Sequence, residues 1–172
     1  MKALLLAAGL GTRLKPVTKF TPKCLVPING KPLLEYWLEN LTNAGVTEFL
    51  INTHYLHTKV EEYIENSKYQ DKITLVYEDE LVLTGGTILK NKNFFNKNSF
   101  MVVHADNLCF CDFSEFIKAH YNKPSNCQVT MMTFKTDKPQ NCGIVEVNNG
   151  IVTKFYEKTK NPPSKLANGA VY

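Results

Sequence analysis

The chain has 172 residues, 44% of them hydrophobic, which suits a single domain over 1–172 with a core that needs no disulfide or metal. Its formal charge of +4 comes from 20 scattered basic and 16 acidic residues, with no run of the kind that marks a nucleic-acid-binding tail. The five cysteines (Cys24, Cys109, Cys111, Cys127, Cys142) are odd in number and irregularly spaced, which excludes a regular disulfide framework and zinc-finger spacing and points to reduced thiols.

After Met1-Lys2 comes an apolar run too short for a signal peptide, and no segment approaches the ~20 apolar residues of a membrane span, so a soluble, cytoplasmic protein is expected. Ala3 to Ala7 is apolar without alternation, the pattern of a central parallel strand covered on both faces. A loop rich in Gly, Thr, Pro and Lys runs from Ala8 to Lys31. Pro32 fits a first helical turn, Leu33, Leu34, Trp37, Leu38 and Leu41 recur at helical spacing, and Gly45 stops the helix. Glu48 to Asn52 is a second strand, and His57 to Ser67 a helix with Val60, Tyr63 and Ile64 inward. Ile73 to Tyr77 is a third strand, Thr84-Gly85-Gly86 opens a short helix, Ser99 to His104 is a fourth strand, and a helix spans Phe113 to Tyr121. This alternation predicts a three-layer, Rossmann-like α/β fold with a mostly parallel sheet. Beyond Asn126 the pattern becomes strand-rich: Val129 to Phe134, Gly143 to Val147 and Ile151 to Tyr156, with an Asn149-Gly150 hairpin signal, so the sheet is expected to be mixed. Ala170-Val171-Tyr172 reads as the middle of a strand, and the chain is expected to stop inside a larger domain.

The most informative stretch is Leu6 to Leu14 (LAAGLGTRL). It follows a buried strand and so lies at the carboxyl edge of the sheet, where α/β proteins bind ligands. Gly9 and Gly11 let backbone N–H groups approach phosphate oxygens, and Arg13 adds a planar permanent cation. Leu14 in the third position excludes the dinucleotide fingerprint, and no Gly-Lys-Ser/Thr follows to make a P-loop. Lys23 is a second cation on the same loop, and two cations suit a polyphosphate. A glycine-rich turn with solvated cations is the competing reading. At the end of the fourth strand, Asp106 faces the same edge and can hold Mg²⁺, which takes one or two carboxylates plus substrate phosphates. A strand-end Asp capping the next turn is an equal alternative. The pleat assigns His104 to packing, and His54 to a structural position at its strand end.

The segments 6–18 (LAAGLGTRLKPVT), 22–28 (PKCLVPI) and 30–34 (GKPLL) resemble the signature of the sugar-1-phosphate nucleotidyltransferase family. The resemblance implies the fold of nucleotide-diphospho-sugar transferases. It also implies a nucleotide site built from Leu6, Ala7, Ala8, Gly9, Gly11, Thr12, Arg13 and Lys23, with Arg13 and Lys23 catalytic. Thr84, Gly85 and Gly86 resemble the family segment that contacts base and ribose, with Leu83 where glycine is usual. The segment lacks the Gln-containing form of thymidylyltransferases and resembles that of guanylyl- and some uridylyltransferases, a comparison that tilts toward GTP. Asp106 matches the family's metal-binding Asp, with Ala105 in place of the usual glycine, and a second metal carboxylate is implied beyond residue 172. Gly143, Glu157, Lys158 and Asn168 resemble the sugar-phosphate site, Lys158 orienting the attacking phosphate. Read singly they are a hairpin glycine, a surface ion pair and a turn asparagine.

The resemblance thus implies in-line attack of a hexose or heptose 1-phosphate on the α-phosphorus of an NTP, with pyrophosphate leaving and Mg²⁺ as cofactor. The phosphate nucleophile is already ionised and needs no general base. The partners are the NTP and the sugar-1-phosphate, with neither nucleic acid nor membrane, and a homo-oligomer is compatible with the family's habit. The rivals are a dinucleotide-dependent oxidoreductase, which needs the missing third glycine, and a non-catalytic nucleotide-sugar binding module, which differs from the enzyme in releasing no pyrophosphate.

Overall fold

The computed structural model describes residues 1–172, which form two compact units, Met1–Lys118 and Ala119–Tyr172. The first unit is built on a four-stranded sheet of β1 (Lys2–Leu6), β4 (Glu48–Thr53), β5 (Ile73–Tyr77) and β6 (Phe100–His104), ordered β5-β4-β1-β6. Every pairing is parallel, and β1 is held on both sides: Leu4 lies opposite Leu50 of β4 and Val102 of β6. That position accounts for the unbroken apolar run, since Ala3, Leu4 and Leu5 are fully buried.

Between β1 and β4 the chain forms α1 (Leu33–Asn43), whose Leu33, Leu34, Trp37, Leu38 and Leu41 make one buried stripe. Each such side chain contributes roughly 1.5–3 kcal/mol by burial. The helix α2 (His57–Glu65) joins β4 to β5, and α3 (Leu83–Lys90) with α4 (Lys92–Phe95) joins β5 to β6. The β1–β4 and β4–β5 crossovers step one way across the sheet and the β5–β6 crossover steps back past β1, so right-handed connections put α1 and α2 on one face and α3 and α4 on the other. In α2, Val60 and Ile64 are buried, while Tyr63 stays half-buried because its hydroxyl donates to Glu35 Oε2 at 3.1 Å. The segment 8–31, a single loop by sequence, contains three short 3₁₀ turns and a small hairpin of β2 (Pro27–Ile28) and β3 (Lys31–Pro32). Two-residue strands are too short to show a period. The hairpin turn is legible afterwards in Asn29 and Gly30, both at positive φ.

The second unit holds a separate antiparallel sheet, ordered β7-β10-β8-β9, of β7 (Thr133–Lys135), β8 (Gly143–Asn148), β9 (Ile151–Glu157) and β10 (Leu166–Asn168). The helix α5 (Phe113–Tyr121) runs across the boundary between the units. The parallel strands are joined by helical crossovers, whereas in the second unit β8 and β9 are joined by a tight turn and β10 returns to lie between β7 and β8. Asn149 and Gly150 take φ of 49° and 77°, as a two-residue hairpin requires. The strand expected over Val129–Phe134 forms only at Thr133–Lys135. Met132 instead bonds irregularly to the last residues: its N–H donates to Val171 O, and its carbonyl accepts from Gly169 N–H.

Trp37, the single tryptophan, is 1% exposed and reports unfolding of the first unit. Leu5→Ala is expected to cost about 2–5 kcal/mol in urea denaturation followed by tryptophan fluorescence, because the void opens at the centre of the sheet. Leu10→Ala, at a half-exposed loop position, is expected to stay within about 0.5 kcal/mol of the parent.

Candidate active site

The site grows from the carboxyl end of β1. Strands β4 and β6 flank β1, so the chain leaves β1 at the topological switch point of the sheet, where open α/β sheets hold ligands. Ala105 N–H donates to Leu6 O at 3.0 Å, and Ala7 N–H donates to Asn52 Oδ1 at 2.8 Å. The loop is thus pinned on both sides before it turns outward.

The loop's two glycines serve different ends. Gly11 is left-handed at φ 64°, and Thr18, buried beneath it, donates its hydroxyl to Gly11 O at 2.7 Å. A Cβ on Gly11 would stand 2.9 Å from Thr18 Cγ2, so the loop's own fold requires this glycine. A Cβ on Gly9 would meet nothing within 4 Å, so this glycine leaves open space. Thr12 and Arg13 lie in the 3₁₀ turn Thr12–Leu14, exposed, and Arg13 takes part in no salt bridge.

Beside the loop lies a cavity of about 210 Å³. Of the residues expected at the nucleotide site, Leu6, Ala7, Ala8, Gly9, Lys23 and Thr84 line it, together with Asp106. Gly11, Thr12, Arg13, Gly85 and Gly86 are outside its lining. Lys23 Nζ and Asp106 Oδ2 are 2.6 Å apart, although 83 positions separate them in sequence. The loop cation and the strand-end carboxylate, read separately from sequence, are therefore an ion pair. His104, partly buried, also lines the cavity. Burial lowers its pKa and Lys23 lowers it further, against the opposing pull of Asp106. Ala105 is fully buried and absent from the lining, so its methyl group does not narrow the cavity. Burial pushes the Cys24 thiol up to about 12, and this cysteine stays a neutral part of the wall.

Sequence reasoning missed the cavity's inner wall. Asn52 at the end of β4, Glu78 just past β5 and Thr87 on α3 are all buried. Glu78 Oε1 accepts from Asn52 Nδ2 at 3.0 Å and from Thr87 Oγ1 at 2.5 Å. Asn52 also holds Ala7 N–H, so one network joins the glycine loop to the helix that carries Thr84. The available signal was a polar residue ending each of two apolar strands. Within the segment 83–86, a Cβ on Gly86 would come 2.7 Å from Val82 Cβ, whereas one on Gly85 would meet nothing within 4 Å. Leu83 takes φ 62°, which explains why glycine is usual there.

In the second unit, Gly143 of β8 pairs with Glu157 of β9. Ala167 of β10 pairs with Ile144 antiparallel, so Asn168 falls opposite Gly143. Three of the four residues expected at the sugar site thus form one cross-strand row. A Cβ on Gly143 would collide with Phe155 Cζ at 2.5 Å, which fixes glycine there for a packing reason as well. Lys158, at φ 45°, sits 3.4 Å from Glu157 Oε1 in an exposed pair. Asn168 Oδ1 accepts from Ala170 N–H at 2.9 Å, and its amide donates to the Tyr172 hydroxyl.

A glycine loop at the switch point of a parallel sheet, with a lysine–carboxylate pair in the adjoining cavity, defines an α/β protein with a phosphate-type site. The chain belongs to the nucleotidyl transferase family, whose model matches residues 2–172. It is 30% identical over 178 residues to mannose-1-phosphate guanyltransferase beta-B of Xenopus laevis, all of this chain covering 49% of that protein. It is 31% identical over 182 residues to mannose-1-phosphate guanyltransferase of Schizosaccharomyces pombe, again covering 49%. The fold is that of apo-UDP-glucose pyrophosphorylase, with a TM-score of 0.83 at 23% identity over 99% of this chain and 74% of that one. The chain spans about half the length of the curated relatives it matches.

Glu78→Ala is expected to destabilise the protein by about 1–3 kcal/mol, because it removes the near acceptor of the buried Asn52 amide and leaves the Thr87 hydroxyl only Leu83 O, at 3.1 Å. Glu78→Gln keeps an acceptor oxygen in place and should recover most of that loss. Denaturant midpoints of the three proteins measure the difference.

Proposed function

We propose that the chain is the nucleotide-binding core of an enzyme that joins an NTP, preferentially GTP, to a hexose or heptose 1-phosphate, releasing pyrophosphate. The observation that carries this reading is the Lys23–Asp106 pair at 2.6 Å in the cavity beside the glycine loop. A cation for the triphosphate and a carboxylate for its metal are both needed at that edge. The preference for guanine is supported by the form of the segment 80–87 and by the guanyltransferase names of the relatives.

The residues fit Mg²⁺. Asp106 offers a hard carboxylate whose side chain is 41% exposed. No group of three or more His, Cys, Asp or Glu forms a metal cage, so a metal held here completes its shell from phosphates and water, as Mg²⁺ does. When bound, Mg²⁺ supplies charge neutralisation along the triphosphate. Lys23 would exchange its carboxylate partner for phosphate oxygens, which would free Asp106 to hold the metal. Arg13, on its exposed turn, closes on the triphosphate and takes up charge as pyrophosphate departs. Lys158 orients the sugar phosphate, while Glu157, Asn168 and the backbone of Gly143 receive sugar hydroxyls. Transfer of this kind needs positioning and charge neutralisation and no covalent intermediate.

Pyrophosphate release from GTP and a panel of hexose and heptose 1-phosphates tests the proposal. Turnover should require a divalent cation. Arg13→Ala should lower kcat/KM by about 10²–10³, the scale of a single transition-state charge contact. Asp106→Asn should lose turnover by a comparable factor and bind the metal–nucleotide complex more weakly. Near-normal activity in Arg13→Ala, or turnover undiminished by a chelator, would remove the basis of the assignment.

A further inference from the structure

Leu83 combines two unfavourable conditions. Its φ of 62° lies in the left-handed region, which strains any residue with a Cβ. Its side chain is 81% exposed, more than any other large hydrophobic in the chain. Several other left-handed positions have visible reasons. Asn29, Asn96 and Asn149 are of the type that tolerates this region, and Leu56, the other left-handed leucine, is half-buried as it caps α2. Nothing in the protein covers Leu83 in this way.

Its location supplies the missing partner. Leu83 lines the cavity with Leu81 and Thr84, in a wall shared with the backbone of Gly9. Lys23 and Asp106 mark the part of the cavity suited to phosphate and metal, which leaves the leucines for an apolar, planar group. Gly9, which lines the same cavity, carries no side chain, and a Cβ there would meet nothing within 4 Å, so space for a ring is kept clear.

We propose that Leu83 is a specificity-determining contact that covers a face of the nucleobase, its exposed side chain becoming buried when nucleotide binds. This rests on the reading that the cavity takes a nucleoside triphosphate. The contact grows with the area of the base, so it favours purines over pyrimidines. The strained backbone is retained because it aims the side chain across the cavity mouth.

Calorimetric titration of GTP, UTP and inorganic tripolyphosphate, each with Mg²⁺, into the parent, Leu83→Gly and Leu83→Asn decides the matter. Glycine and asparagine both accept left-handed φ, so the variants keep the backbone and lose the apolar contact. Thermal midpoints confirm that they fold. GTP affinity is expected to fall about tenfold in both variants, the scale of burying most of a leucine. UTP should lose less, and tripolyphosphate, which has no base, should be unaffected. Unchanged GTP affinity in both variants overturns the proposal. An equal loss for tripolyphosphate also overturns it, because the effect would then come through the phosphate loop. A parent protein that binds tripolyphosphate but gains nothing from a base sinks this inference alone, whereas one that binds none of the three sinks the functional reading and this inference with it.

Discussion

The strand β1 is hydrogen-bonded to parallel neighbours along both edges, and this arrangement organises the first unit. Ala3, Leu4 and Leu5 are buried between β4 and β6, and the chain emerges at Leu6 with its direction already set. Bonds from Ala105 N–H to Leu6 O and from Ala7 N–H to Asn52 Oδ1 continue that alignment for one more residue on each side. The ends of β1, β4 and β6 thereby deliver a glycine loop, an asparagine and a carboxylate to one place. Rigid strands hold those groups better than a loop alone could, because the buried apolar surface beneath them resists displacement.

The electrostatics of the cavity follow from that convergence. Lys23 and Asp106 neutralise one another at its edge, and their side chains stay partly solvated, at 19% and 41% exposure. A partly solvated pair is easily exchanged, since water and incoming ions compete with each contact. The inner wall behaves differently. Asn52, Glu78 and Thr87 satisfy one another where water has little access, so that network is part of the fold and fixes the cavity's depth.

Small and strained residues divide between architecture and open space. Gly11, Gly86 and Gly143 are glycines because a neighbouring side chain already occupies the position of a Cβ: Thr18, Val82 and Phe155 respectively. Gly9 and Gly85 border open space, and at Gly9 the lack of a side chain keeps the cavity clear. Leu83 reverses the pattern, with a large side chain where the backbone favours glycine.

Much of this was legible in the sequence. The unbroken apolar run of β1, the helical stripe of α1, the range Phe113–Tyr121 and the Asn149-Gly150 hairpin are local patterns, because periodicity and turn chemistry depend on neighbours in the chain. The glycine loop and Asp106 were visible as candidate groups for the same reason. Their pairing was not. Lys23 meets Asp106 across 83 positions and Asn52 meets Glu78 across 26, and no local pattern encodes a contact between residues on different strands. Nor did the pleat show that His104 borders the cavity, because alternation assigns a side chain to a face of the sheet without saying whether a cavity opens there. Residue type and spacing thus determined which elements form and which side chains could bind phosphate and metal. Only the parallel order of the strands, set by burial on both faces of β1, decided which of those side chains share one cavity.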